Sequence, residues 1–396
     1  MMRRGRASST LRSQLGDNGA RLPRAGAQVQ SKAENHMQST NKAGLSRLVR
    51  ITLATASGIA LLALTAIAPA HAAPACSTTI TKCGCTITQS KIYTVANDLQ
   101  ASQTSEPNCI EIAKDHAILN TKGWALIGNK KGIGIFIRPG ADHVIVEGGD
   151  EADNDPPLNP TQEEGPAPTL APPQSTVALW DIGIRDDGDD ATILLFANVG
   201  GSFFQQNQGN ITGGVFLNRV KNSSVGDLRA NFNGKFGVRL DHCSDVEISN
   251  VATTANQENG VLLEASNNNR IGPATSAAGG KTQKLGTWLF SSSDNVIHDD
   301  ANGGNSGTGL LVGCGLDRKN CPGNERSNHN RVIDGAAVGN KDAGLVIRKH
   351  SEGNTVTVNH NDGNGGKNMD MVDENNKCDS NIWYNNTGNG NQPCIH

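Results

Sequence analysis

From residue 214 onward the chain alternates short apolar runs with polar turns on a nearly constant period. "GVFL" begins at Gly214, "GVRL" at Gly237, "GVLL" at Gly260, "GTWL" at Gly286, "GLLV" at Gly309 and "GLVI" at Gly344, in steps of 23, 23, 26, 23 and 35 residues. A second apolar position, at Val225, Ile248, Ile271 and Ile297, lies 11 residues after each of the first four glycines. Alternation over runs this short indicates strands, whose successive side chains point to opposite faces. The register predicts that Val215, Leu217, Val238, Leu240, Val261 and Leu263 face inward. Phe216, Arg239, Leu262, Trp288, Leu311 and Val346 then form one outward column, and Asn218, Asp241, Glu264, Phe290, Gly313 and Arg348 the next. The long last step holds "CGLDRKNCPGNERSNHN", read as one rung plus a loop pinned by Cys314 and Cys321.

Each unit is therefore strand, turn, strand, turn, and units that pair only with the next copy build a solenoid with rungs about 4.8 Å apart. Asn supplies 32 of the 196 residues from 201 to 396. It tolerates left-handed backbone, which suits recurring tight turns, and its amides can stack in ladders. Asn233 and Asn256, one period apart, are candidates for such a ladder. Cys243 in "GVRLDHCSDVEISN" falls 23 residues after Val220, so it is expected to be a small core residue without thiol chemistry.

The "GVFL/GVRL/GVLL" units resemble the right-handed parallel β-helix repeats of pectate-lyase-like and NosD-like secreted proteins, and residues 83–149 look like that family's N-terminal rungs. The resemblance implies an all-β fold, a right-handed single-stranded parallel β-helix of about 23-residue rungs, covering the chain from Cys76 to about Asn391. It implies little about activity, since the same repeat serves lyases, hydrolases, epimerases and adhesins. The acidic, proline-rich stretch 150–174 reads as a loop from one rung, and no second domain is expected in 73–396.

The N-terminus changes the picture of where this fold works. Arg47 and Arg50 precede the apolar run 51–70, which ends at Ala70-His71-Ala72. Basic flank, apolar core and small-residue site read as a secretory signal removed after Ala72, with Met37 an alternative start. No stable membrane span is then expected. Residues 1–72 carry 10 basic and 2 acidic residues, so the remainder holds 25 and 36, a net charge of −11. Such an acidic chain is a poor partner for nucleic acid and a better one for polysaccharide, neutral glycans above all. A secreted or periplasmic monomer is expected. Export also lets cysteines pair: Cys314 with Cys321 and Cys378 with Cys394 are natural local pairs, while Cys76, Cys83, Cys85 and Cys109 can pair in three ways.

The candidate chemistry lies on the outward columns. Glu264 should stack over Asp241 one rung away, with Arg239 two residues along the same face. Neighbouring carboxylates raise one another's pKa unless a cation intervenes, and a close pair is also the arrangement of retaining glycosidases. A lyase or epimerase would instead use Arg239 against a uronate carboxylate, His242 or Lys235 for proton transfer, and Asp241 with Glu264 for a cation or acid/base work. Trp288 and Phe290 are candidate platforms for pyranose rings. "RDDGDD" offers Asp186, Asp187, Asp189 and Asp190 as hard oxygen ligands, calcium being the cofactor they would take, although the spacing is not that of an EF-hand. Asp299-Asp300 resembles the paired aspartates of polygalacturonases, without that family's Gly-His-Gly and Arg-Ile-Lys segments. Two functions follow: a polysaccharide-binding protein that also cleaves or epimerises its ligand, or a non-catalytic adhesin-type or structural module. The second has its own logic, because every candidate residue also fills a repeat position.

Overall fold

A computed structural model describes residues 73–149 and 175–395, apart from 195, 197, 201–208, 280–281, 316, 319–320, 358, 366–369, 379 and 389–393. The proposed signal segment and the 150–174 stretch lie outside the described residues. Every strand pairing is parallel. One face is an eleven-stranded sheet running in strict chain order from Cys85–Ile87 to Met371–Asp373. A second face runs from Thr79–Ile80 to Ile382–Tyr384 and forks at Glu247–Ala252, which pairs with both Arg270–Ile271 and Thr275–Ser276. A four-stranded sheet from Leu99–Gln100 to Asn198–Val199 supplies a third face near the N-terminus. The chain is thus a right-handed parallel β-helix, as the repeat implied.

The sequence register holds. Val215 pairs with Val238 and Val238 with Val261, while Leu217, Leu240 and Leu263 form the adjacent row; all six are buried. The repeat glycine has a steric cause. A Cβ on Gly214 would lie 2.6 Å from the Gly237 carbonyl oxygen, and one on Gly237 2.8 Å from that of Gly260. A methyl group at this position would push the rungs apart.

Polar residues line the corners of the tube in ladders. Asn233 donates from Nδ2 to Asn256 Oδ1 at 3.1 Å, as expected, and the row extends through Gln283, Asn305, Asn340 and Asn364. A second row joins Asn269, Asn295, Asn330, Asn354 and Asn381, each step 3.1 Å. Stacked amides satisfy one another and the backbone at a corner that no strand ladder reaches, which is what a buried polar group requires.

Disulfides close the ends and one loop. Cys314–Cys321 and Cys378–Cys394 form as expected, and of the three N-terminal alternatives the structure has Cys76–Cys85 with Cys83–Cys109. Cys243 is free and buried. Burial pushes its thiol up to about 11, so it is inert near neutral pH.

Candidate functional site

The outward side of the eleven-stranded sheet is where side chains stand clear of the core. Phe136, Arg185, Phe216 and Arg239 follow one another in register, and all four are half-buried. The Arg185 guanidinium carbon lies 5.6 Å from the Phe136 ring centre and 5.4 Å from that of Phe216, and Arg239 lies 5.1 Å from Phe216 on its other side. Cation–π attraction holds the planar groups over one another.

Beside this strip runs a column of acceptors that neutralises it. Arg185 makes a forked pair with Asp187 at 2.9 and 2.8 Å, and Asn218 donates to the same carboxylate at 3.1 Å. One rung on, Asp241 and Glu264 are register partners, and one nitrogen of Arg239 contacts both, at 2.8 and 2.6 Å. The predicted stacking of these two carboxylates is therefore present, with the arginine spent on them.

His242 stands at the turn with φ of 56°, which throws its side chain outward, where its Nδ1 meets Asp241 Oδ1. Cys243 next to it points into the tube. The Asp-His-Cys adjacency is thus split by the turn into an outward pair and a core residue. Lys235 is exposed at the start of the same strand.

Trp288 is not an open platform. It is half-buried, its Nε1 donates 2.8 Å to the Gly313 carbonyl, and a Cβ added at Gly315 would lie 3.8 Å from its ring edge. Phe290 leans on it with ring centres 5.3 Å apart. Further along the column Leu311 and Val346 are buried with Leu285 and Ala343. The segment after Gly313 lies against Trp288. It is held by the Cys314–Cys321 bridge, by an Arg318–Glu325 ion pair and by Arg348, which is buried and reaches the Arg318 carbonyl and Glu374. The open strip stops at Leu262, which pairs with Arg239 and is buried although its column was expected to face outward, and Trp288 and Phe290 follow on the next rung.

The four aspartates of "RDDGDD" do not converge. Asp186 occupies the inward position shared with Leu217, is fully buried, and accepts from Gly188 N–H at 2.9 Å and Ser223 Oγ at 3.2 Å. Burial pushes its carboxyl up to about 7. Asp187 is taken by Arg185, Asp189 accepts the Lys221 N–H at 2.7 Å, and Asp190 faces His143 at 3.6 Å. No group of three metal ligands forms among the described residues, so the calcium expectation for Asp186, Asp187, Asp189 and Asp190 is corrected. The reason is strand alternation, which sends Asp186 inward and Asp187 outward. Asp299 and Asp300 divide in the same way, exposed and buried.

The sequence reading missed Phe136 and Arg185 as members of the strip. Their signal is present as an outward aromatic or arginine in consecutive rungs, but the steps before residue 214 are irregular, which concealed it.

No family model matches the chain, and no curated protein matches it. Solved structures share the fold. The Dettilon tailspike protein is 13% identical with a TM-score of 0.50, covering 76% of this chain and 62% of the tailspike, so this chain spans less than two thirds of that protein's length. The A-module of the Azotobacter vinelandii mannuronan C-5 epimerase AlgE4 is 12% identical, TM-score 0.46, covering 79% of this chain and 88% of the module. The alginate lyase from Paenibacillus sp. str. FPU-7 is 13% identical, TM-score 0.43, covering 78% and 97%. At such identities the likeness is one of fold.

Proposed function

We propose that the chain is an exported polysaccharide-binding β-helix and that its glycan lies on the outward side of the eleven-stranded sheet, along Phe136, Arg185, Phe216 and Arg239. The observation that carries this reading is the half-exposed strip in which aromatic rings and guanidinium groups alternate at rung spacing beside Asp187, Asn218, Asp241 and Glu264. The faces are stacked on one another, so it is the ring and guanidinium edges that meet a glycan, and these edges with the adjoining acceptors suit its C–H and hydroxyl groups. Four disulfides support a non-cytoplasmic setting.

The reading favours neutral glycans over polyuronates. Arg239, the group assigned to a uronate carboxylate, already carries two carboxylates, and a third would compete with both. The matching experiment is a binding screen on pectate, alginate, xylan and neutral glucans. Binding to a neutral glycan that Phe216→Ala and Arg239→Ala abolish is expected; binding that survives both changes sinks the assignment.

A catalytic second reading rests on one observation: a single nitrogen holds Asp241 and Glu264 together, within reach of one sugar unit, with His242 on Asp241. Hydrolysis would use the two carboxylates as acid and base or nucleophile. Asp241→Ala and Glu264→Ala decide it, because each should end turnover on any glycan that wild type cleaves. If they leave it intact, or if no turnover exists, the binding module stands alone.

A further inference from the structure

One feature inside the tube belongs to no glycan site. On the second face Asn302 pairs in register with Ala337, and Ala337 with Asn361. The middle rung therefore has a methyl group where both neighbours carry amides, and two residues earlier it has Gly335, where the flanking side chains are Asp300 and Asn359. The missing side-chain volume leaves a cavity of about 10 Å³ lined by Asp300, Asn302, Gly335, Ala337, Asn359 and Asn361, with an aliphatic far wall.

Two polar atoms at this cavity are unspent. Asp300 is buried and its Oδ2 accepts from Thr287 Oγ1 at 2.9 Å and Asn302 Nδ2 at 2.8 Å, yet its Oδ1 has no hydrogen-bond partner. Asn361 is buried too, and its Nδ2 donates to nothing. The residues that carry this acceptor and this donor line the same hole. Orphans of this kind are costly, and the amide ladders at the corners of the tube satisfy their own members.

We infer that this cavity is a site for a single water molecule, which donates to Asp300 Oδ1, accepts from Asn361 Nδ2, and takes the place of the side chain that Ala337 lacks in the Asn302-to-Asn361 row. The volume suits one water, which needs on the order of 10–15 Å³ and two to four polar partners. A metal cation does not fit, because calcium and magnesium require six or more oxygens and Asn361 offers an N–H. The water joins the rungs on either side of Ala337 and spares the carboxylate its unmatched lone pair. Burial pushes Asp300 up to about 6, so at neutral pH it is the charged acceptor that such a water matches best.

Ala337→Val and Ala337→Ser test the assignment by thermal melting at pH 7.5. Valine fills the hole with carbon, expels the water and orphans both atoms, so a fall of several degrees in Tm is expected; a Tm equal to wild type or higher means a dry cavity and overturns the inference. Serine brings a hydroxyl to the same place, so its Tm should stay within about a degree of wild type, and a loss as large as that of valine would mark the cost as steric and also overturn it. A crystal structure of the full chain reads the site directly even if the valine variant does not fold. Density within hydrogen-bond distance of both Asp300 Oδ1 and Asn361 Nδ2 is expected, whereas no density, or an ion ringed by oxygens, overturns it.

Discussion

The outward column of the eleven-stranded sheet is half-exposed from Phe136 to Arg239 and closed from Leu311 to Val346, although the parallel register continues along its length. In the open part the outward residues are aromatic or arginine, and each arginine has a carboxylate beside it. In the closed part they are aliphatic and buried in a cluster with Leu285 and Ala343. The repeat thus dictates the inner row and leaves the outer row free. The two halves use that freedom in opposite ways, one to present chemistry to solvent and one to bury a second, smaller core.

Four measurements can break or sharpen the contrast. The largest effect is expected inside the open half, at the carboxyl of Asp186. Its folded value near 7, against an ordinary 3.8, means that the fold prefers the neutral acid. Its contribution is fully present below about pH 4 and is lost as pH rises through 7. Asp186→Asn removes the charge, keeps an acceptor for the Gly188 N–H and reverses the Ser223 bond, its Nδ2 donating to Oγ, so above pH 7 it should raise unfolding free energy by up to about 4 kcal/mol and flatten the slope between pH 4 and 7. Urea titrations across pH that superimpose for wild type and variant would show that Asp186 carries no such penalty.

Next comes the closed half. Leu311→Ala should cost about 2–4 kcal/mol, as for a buried leucine, whereas Phe216→Ala in the open half should cost about 1 kcal/mol. Equal costs by urea unfolding would erase the distinction between the two halves. Removing the Cys314–Cys321 bridge by the double serine variant should cost about 2–3 kcal/mol and increase binding of a hydrophobic dye as the segment beside Trp288 loosens. Unchanged dye binding would mean that packing alone holds the segment. The smallest effect concerns Arg239→Ala, which leaves Asp241 and Glu264 facing each other half-exposed. About 1 kcal/mol of stability should go, and the loss should shrink with added salt. A salt-independent loss would point to ring packing on Phe216 instead.

Much of this was readable from periodicity. The inward valines and leucines, the buried Cys243, the Asn233–Asn256 contact and the facing of Asp241 with Glu264 all follow from a 23-residue step combined with strand alternation, and each involves only one rung and the next. The "RDDGDD" cluster was misread because the rung before Gly214 has a different length, so nothing local marked Asp186 as inward. Trp288 was read as a platform because its rung is regular, while the segment that covers it belongs to the irregular step.

The sequence by itself determined the solenoid, its register and its amide rows, because a repeat repeats its own contacts and each contact is local. Only the tertiary structure decided which parts of the outer face stay open, how the four N-terminal cysteines pair, and that a cavity forms at Ala337. Those outcomes depend on segments of irregular length folding back over regular ones and on how three rungs fill one volume. Sequence spacing does not encode either.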